Sequence, residues 1–425
     1  MQFNEANFDL IKKYADTHNL EGFKKIFSFP SYYHTSSEKE YKNLEPWIQW
    51  YSFYSNLNIS QHKVFHLGDC LKTDHKMFTE NMYNQKIGIF GSMNLRPSKQ
   101  YSIYIPDPWT ETDSDKSLSS KLVSMTMRQL VNENAQLKLS LRSILGLIVL
   151  LGSQSIFNDF KVILHSMISF LKKERSVLAS TFDYFFSSYS LKRIKRNKIN
   201  LGMIFLNGFA HIQHHYLFNS KFIDGKNPEW YCNSDSDPLL NSLKIYNKFF
   251  QKLFKQFENS HEIWIITGLT QIPTTTPEIY WRFKNHKKLL RNFFDFDFKV
   301  FPRMTRDFEI EVMNKKNYKI IYNFLENAEV HDGKNKYKAF EFTDLSNDNR
   351  IFTSFAYKGD NKQTNLIWKN KSVKIKNQLV FVAIKNGIHS ELGWAISNSH
   401  TSNKNQLETI PIWELSKYLN LKKIA

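Results

Sequence analysis

Short apolar runs that stop abruptly on a polar residue, a glycine or a proline constrain this chain more than any other feature. KIGIFG (86–91) closes on Gly91, YSIYI (101–105) is stopped by Pro106, LGMIFL (201–206) ends at Asn207, and EIWIIT (262–267) ends at Thr267. Runs of about four to eight apolar residues bounded in this way read as strands buried on both faces. Residues 1–5 read as a further short strand. Helical spacing fills the intervals: Phe8, Ile11 and Tyr14 recur at three, and 237–257 is amphipathic. From Ser117 to Asn197 there is no proline, and the glycines are Gly146 and Gly152, so that stretch reads as helical throughout. Strands alternating with helices predict an α/β protein with a mainly parallel central sheet flanked by helices. The expected organisation is a core of 1–116 and 198–425, with 117–197 as a helical insertion or cap. Alternating runs such as KAFEF and QLVFVAI in 335–385 predict antiparallel or edge strands.

Composition narrows the function classes. Lys and Arg number 58 against 40 Asp and Glu in 425 residues, a net charge of +18. A basic balance can serve nucleic acid, acidic lipid or anionic substrates. The lysines are spread along the chain, and Lys192, Arg193, Lys195, Arg196 and Lys198 make too short a cluster for a nucleic-acid face. No nucleic-acid partner is expected. Cys70 and Cys232 are too few for a disulfide framework, and they lie in no zinc-binding spacing. The start, MQFNEANFDL, has no basic stretch followed by an apolar run, and the longest apolar run, 144–151, is far short of the roughly twenty residues a membrane span needs. A cytoplasmic chain without a transmembrane segment is the expectation, with peripheral membrane contact left open.

Ligands in open α/β sheets sit at the carboxyl ends of strands. Asn4 and Glu5 follow the first strand. Asn207 follows LGMIFL, with His211, His214 and His215 shortly after. Thr267, Thr270 and Gln271 follow EIWII, and His389 follows QLVFVAIKNG between Gly387 and Gly393. Imidazoles at such tips can ligate a metal or move protons, and carboxylates such as Glu5 and Glu45 can act as acid or base. Each also has a plain reading as a solvated or core-capping residue. The convergence of distant tips favours function.

The segments FNEANFDLI, LEPWIQWYSFYSN, HKVFHLGD, IGIFGSMNLRP, YIPDPWT, NGFAHIQHHY, IITGLTQIP followed by YWRF, and GIHSELGW span nearly the whole chain. Their order resembles the alkaline-phosphatase superfamily, in its phosphodiesterase and nucleotide-pyrophosphatase branch. The nearest likeness is to divergent bacterial members that accompany surface-polysaccharide genes. That resemblance implies two metal ions held by Asp and His beside a Ser or Thr nucleophile. Carried over residue by residue, the first-strand Asp falls on Asn4. The Asp of the Asp-x-x-x-His element falls on Asn207 if its His is His211, and on Ala210 if it is His214. Thr267, Gly268, Leu269 and Thr270 stand where two further ligands belong, while the late His matches His389. The nucleophile region matches 45–49, with Thr35 and Ser52 the nearest hydroxyls. Two dications need several carboxylates to offset their charge, and neutral amides are weak ligands.

No metal ligand is therefore assigned, and no cofactor is named. The catalytic candidates are Glu5, Glu45, His211, His214 and His389. The candidates for substrate binding are Asn4, Gln49, Asn207, Gln271 and Arg282. Two functions follow. One is an enzyme acting on a phosphorylated or glycosyl substrate, a small molecule or glycan, in surface-polysaccharide metabolism, without an intact two-metal site. The other is a non-catalytic relative that binds a glycan or a biosynthetic partner, its cleft plugged by Trp47, Trp50 and Trp281. The oligomeric state is not legible.

Overall fold

The computed structural model describes residues 1–132, 140–153, 159–160, 162–164, 168, 176–303, 306–333, 335–345, 349–359, 364–399 and 408–419. In chain order the strands are β1 (Gln2–Phe3), β2 (Ser31–Ser36), β3 (Ile87–Phe90), β4 (Tyr101–Ile105), β5 (Leu201–Leu206), β6 (Trp264–Ile266), β7 (Thr270–Phe283), β8 (Lys299–Pro302), β9 (Asp307–Glu311), β10 (Glu329–Asp332), β11 (Asn335–Lys338), β12 (Phe340–Leu345), β13 (Arg350–Phe355), β14 (Thr364–Trp368), β15 (Lys371–Lys374), β16 (Leu379–Ser390), β17 (Leu392–Ser397) and β18 (Glu408–Pro411). The helices are α1 (Phe8–His18), α2 (Glu21–Phe27), α3 (Pro46–Ser55), α4 (Ile59–His62), α5 (Leu118–Asn132), α6 (Leu141–Gly152), α7 (Ser176–Asn197), α8 (Gly208–Tyr216), α9 (Pro238–Phe257), α10 (His286–Leu290) and α11 (Lys315–Asn327). They build two compact units, Met1–Pro273 with Gly387–Ala425, and Thr274–Asn386.

The first unit is organised by an eight-stranded sheet in the order β18-β2-β17-β6-β1-β5-β3-β4. All its pairings are parallel except those of β17, which runs antiparallel to β2 and to β6. The fold is thus α/β with a mainly parallel central sheet flanked by helices. Residue alternation explains the layers. Ile204 and Leu206 of β5, with Phe3 of β1, feed a core shared with α1, α2, α7, α8 and α9. Met203 and Phe205 point the other way, into a core with Trp50, Tyr51, Phe53 and Tyr54 of α3. The strands are apolar on both faces because both faces are covered.

Local chemistry sets the helix starts. Asn7 caps α1 by accepting the Leu10 N–H at 3.0 Å, and Asp237 caps α9 by accepting from Leu240 at 2.9 Å. The carboxylate of Asp183 on α7 receives the Gly208 N–H at 2.7 Å and the Tyr246 hydroxyl at 2.6 Å, which anchors the first turn of α8. Burial pushes that carboxyl up to about 7 against the hydrogen bonds that lower it.

The second unit holds two four-stranded sheets, β11-β10-β14-β15 and β12-β13-β9-β8, antiparallel in every recorded pairing. Its phenylalanine-rich core includes Phe283, Phe294, Phe308, Phe324, Phe340 and Phe355. The chain leaves the first unit along β7 and re-enters it along β16, and these two strands pair with one another. Among the described residues no helix is long and apolar enough to cross a membrane.

Candidate functional site

Glu5 is the residue around which the others gather. β1 is two residues long, and its tip is pinned between its neighbours: Asn4 N–H donates to Leu206 O and Glu5 N–H to Thr267 O, both at 3.0 Å. Glu5 adopts a left-handed backbone, φ 56°, a conformation that costs a residue with a side chain roughly 1–3 kcal/mol and persists where its surroundings hold it. Gln213 supplies that hold. Its Nε2 donates to Glu5 O at 2.8 Å while its Oε1 accepts the Asn7 N–H at 2.9 Å. Gln213 was not anticipated from the sequence; the one signal was its position beside His214 at the strand tip.

The Glu5 carboxylate is buried, 4% exposed at the side chain. Its Oε1 accepts from Asn4 Nδ2 at 2.9 Å. Its Oε2 lies 3.0 Å from His214 Nε2 and 3.2 Å from His389 Nε2, and it also accepts from Gln271 Nε2. The two rings lie 5.2 Å apart between centroids at 67°. Burial alone would raise the Glu5 carboxyl, but the charges of His389 and His214 and their hydrogen bonds outweigh it and hold it well below the usual range. Glu5 is therefore an anion at neutral pH.

Three different elements deliver these groups. α8 begins at the tip of β5, which places His214 over the sheet edge. His211 and His215, four residues apart, meet edge to face, with ring centroids 4.7 Å apart at 74°. His211 does not reach the Glu5 carboxylate in any recorded bond. Crowding by protein lowers its imidazole to about 4, with the charge of His214 second. The ring nevertheless has open solvent at its surface, so water contact counters part of that shift. His389 stands near the end of β16, just before β17. Because β17 runs opposite to β6, its start lies at the rim where β1, β5 and β6 end. Glu45 precedes α3 and does not cap it with its own side chain; its Oε2 lies 3.7 Å from His389 Nδ1. His389 thus has a carboxylate on each side.

The neutral amides are tied to one another. Asn4 Nδ2 also donates to Asn207 Oδ1 at 2.8 Å, and Asn4 Oδ1 accepts from Trp50 Nε1 at 2.7 Å. Gln271 Nε2 donates to Ala210 O at 3.0 Å as well as to Glu5, and its Oε1 is buried without a partner. Gln49 is buried further along α3, where Nε2 donates to Asn43 O at 3.0 Å and Oε1 has no partner. Arg282 belongs to the second unit, where Asp307 and His286 are its charge neighbours. Asp107 is committed to the backbone, accepting N–H groups from Asn94, Trp109 and Thr110 at 2.8 Å each.

The hydroxyls nearest the expected nucleophile position are occupied. Thr35 donates to Gly268 O at 2.9 Å. Ser52 lies 2.9 Å from His62 Nε2, but His62 Nδ1 accepts the Val64 N–H at 2.9 Å. The neutral imidazole then carries its proton on Nε2 and donates it to Ser52 Oγ, which itself donates to Ile48 O at 3.1 Å. His62 cannot act as the base for Ser52 in this arrangement.

Two metal ions do not fit these donors. Asn4 and Asn207 spend their amides on each other, on Trp50 and on Glu5. Thr267 Oγ1 accepts the Trp394 N–H at 2.8 Å, and Gly268 and Leu269 bring no donor side chain. Among the described residues, the His, Cys, Asp and Glu side chains grouped closely enough to share one ion are Glu5, His214 and His389.

No family model matches the chain, and no curated protein matches it. Solved structures do. Phosphonoacetate hydrolase from Sinorhizobium meliloti 1021 in complex with phosphonoformate aligns at a TM-score of 0.41 and 8% identity, covering 100% of this chain and 94% of that one. The same protein with phosphonoacetate aligns at 0.39 and 8%, with the same coverage. Murine ectonucleotide pyrophosphatase/phosphodiesterase 5 in complex with AMP aligns at 0.39 and 9%, again over 100% and 94%. These neighbours are members of the alkaline-phosphatase superfamily.

Proposed function

We propose that this chain is a cytoplasmic enzyme that hydrolyses or transfers a phosphoryl or glycosyl group in surface-polysaccharide metabolism, at the pocket centred on Glu5. It does so without the paired metal ions of the superfamily it resembles. The observation that carries the reading is one buried carboxylate oxygen shared by two imidazoles, His214 Nε2 at 3.0 Å and His389 Nε2 at 3.2 Å. A buried anion in that position orients both rings. The result is a preorganised electrostatic centre for an anionic substrate oxygen. Glu45, 34% exposed at the side chain and on the open side of His389, is placed to move a proton. Asn4, Asn207 and Gln271 keep the carboxylate in place, and His211 faces the solvent side of α8.

Turnover of a panel of phosphodiester, phosphonate, phosphomonoester and sugar-nucleotide substrates tests this. Activity that falls at least about a hundredfold in Glu5→Gln and His389→Asn, in folded protein, supports it. Absence of turnover on every class sinks the enzymatic reading.

One observation favours the second reading, a binder of glycan or of a biosynthetic partner. Thr35 and Ser52 both spend their hydroxyls on backbone carbonyls, and Trp50 is locked to Asn4 beneath the pocket. Trp47 instead donates to Phe65 O at 2.9 Å, and Trp281 lies in the second unit. Saturable glycan binding without turnover would identify that role.

A further inference from the structure

We propose that the outward face of α6, with the basic end of α7 beside it, docks this chain onto the surface of a bilayer containing acidic phospholipid. The proposal concerns a different part of the molecule from the Glu5 pocket and does not rest on it. A helix on the surface of a globular protein ordinarily turns its apolar stripe inward. α6, LRSILGLIVLLG, does the opposite: Ser143, Gly146 and Leu150 are its buried residues. Leu141, Ile144, Leu145, Ile148 and Leu151 are all exposed, Leu141 at 75% and Ile148 at 57%. They recur at three and four, so they form one stripe along the helix.

The inward face explains the inversion. A Cβ on Gly146 would stand 2.5 Å from the Leu122 carbonyl oxygen of α5, and Thr126 Oγ1 lies 3.1 Å from Ser143 O. Small and polar residues thus bring the two helices together and leave the large apolar side chains outside, which is how helices pack where lipid is the solvent. A contiguous exposed apolar stripe of this kind marks an interaction surface. With 12 residues, α6 is long enough to lie on a bilayer and too short to cross one.

Charge decides the occupant. The same two contacts set the register: Ser143 meets Thr126 and Gly146 meets Leu122, so α6 runs back along α5. Its C-terminal end, with Ile148 and Leu151, therefore returns toward Leu118, which is itself exposed. Arg193 Nη1 donates to Ser119 Oγ at 2.7 Å, which ties the end of α7 to that same corner. There Lys121, Lys192, Lys195 and Arg196 are exposed. The acidic residue of α5, α6 and α7 is Asp183, buried and committed to Gly208 and Tyr246. Asp115, just before α5, accepts from the Tyr104 and Ser117 N–H groups and from Ser120 Oγ. An apolar stripe with cations at one end matches an anionic lipid surface, which takes up the side chains and neutralises the charge. A second copy of the chain would bring the same cations against each other.

Sedimentation of the full-length chain with vesicles tests this, using phosphatidylcholine alone and phosphatidylcholine mixed in equal parts with phosphatidylglycerol. Binding to the mixed vesicles is expected, at least about tenfold tighter than to the neutral ones, and weakened by about 1 M salt. Ile144→Ser with Ile148→Ser should weaken it at least about tenfold. Lys195→Gln with Arg196→Gln should weaken it about tenfold, and the same charge loss on α1, Lys12→Gln with Lys13→Gln, by less than about twofold. All six positions except the two isoleucines carry charge on the solvent side and none is buried, and circular dichroism confirms that each variant is folded. Absence of binding, equal binding to neutral vesicles, or binding that survives the isoleucine pair would overturn the proposal. So would self-association without lipid, by analytical ultracentrifugation, that the isoleucine pair abolishes; the face would then belong to a second copy. Binding is read without substrate, so its failure leaves the reading of the Glu5 pocket standing.

Discussion

The side-chain amide of Asn4 donates to Asn207 Oδ1 at 2.8 Å, joining the tips of β1 and β5 across 203 residues of sequence. The same nitrogen donates to Glu5 and the amide oxygen accepts from Trp50. A neutral amide is therefore what this corner of the pocket requires. Restoring an acid with Asn4→Asp would delete both donors and set a second carboxylate against Glu5. At pH 7 we expect a loss of about 2–4 kcal/mol in stability by urea unfolding. Mutual repulsion raises the folded-state carboxyl values, so the penalty should shrink as pH falls through them. An Asn4→Asp chain as stable as the parent at pH 7 would refute this account of the corner.

Asp183 gives the pH dependence a defined sign. Burial raises its folded-state value from 3.8 to about 7. The unfolded chain gives up this proton near pH 4, whereas the folded chain keeps it until about pH 7. Across that interval the folded state holds more protons, so stability falls as pH rises. The loss should reach about 2–4 kcal/mol by pH 8. In Asp183→Asn the amide oxygen can still accept from Gly208 and Tyr246. Denaturation midpoints from pH 5 to 8 should then change less in the variant than in the parent; parallel curves would contradict this.

Gly208 lets α8 approach α7 and α9. A Cβ there would stand 2.7 Å from the Ala179 carbonyl and 2.8 Å from the Tyr246 hydroxyl. Backbone cannot yield as a flexible side chain can, so Gly208→Ala should cost about 1–3 kcal/mol in thermal or chemical unfolding. His214 would be displaced with the helix, and any measured turnover should fall with it.

Ser52 tests the argument from tautomers. Because His62 donates to it, Ser52→Ala should remove about 1–2 kcal/mol of stability and change turnover by less than about twofold. A hundredfold loss of turnover in a folded Ser52→Ala protein would reinstate a nucleophilic serine.

The parts of this arrangement that rest on apolar runs were legible in the sequence. Residues 1–5, 86–91, 101–105, 201–206 and 262–267 overlap β1, β3, β4, β5 and β6, because strands buried on both faces leave continuous apolar text. The strands β2 (SYYHTS), β17 (LGWAIS) and β18 (ETIP) were not anticipated. They carry polar or small residues and draw their order from neighbours far away in sequence. β7 was not anticipated either, since Pro273 and Pro277 punctuate it, and its extended run to Phe283 carries Arg282 into the second unit. His389 was anticipated through its glycine neighbours and the resemblance. The topological reason for its position, a reversed strand, was hidden because β17 itself was. Which of three clustered histidines turns toward Glu5 depends on the helix phase set by the Asp183 anchor, and periodicity alone does not supply it.

The left-handed backbone at Glu5 puts two demands on one position. Its torsion is one that glycine, asparagine and aspartate adopt with least strain, yet their side chains are too short to stand between His214 and His389 from that Cα. β-Branched residues of suitable bulk are shut out by the torsion itself. Glutamine keeps the length, the unbranched shape and an acceptor oxygen, and it surrenders the charge. The position therefore has almost no conservative neighbours, and a lineage that abandons this carboxylate would have to rebuild the strand tip along with it.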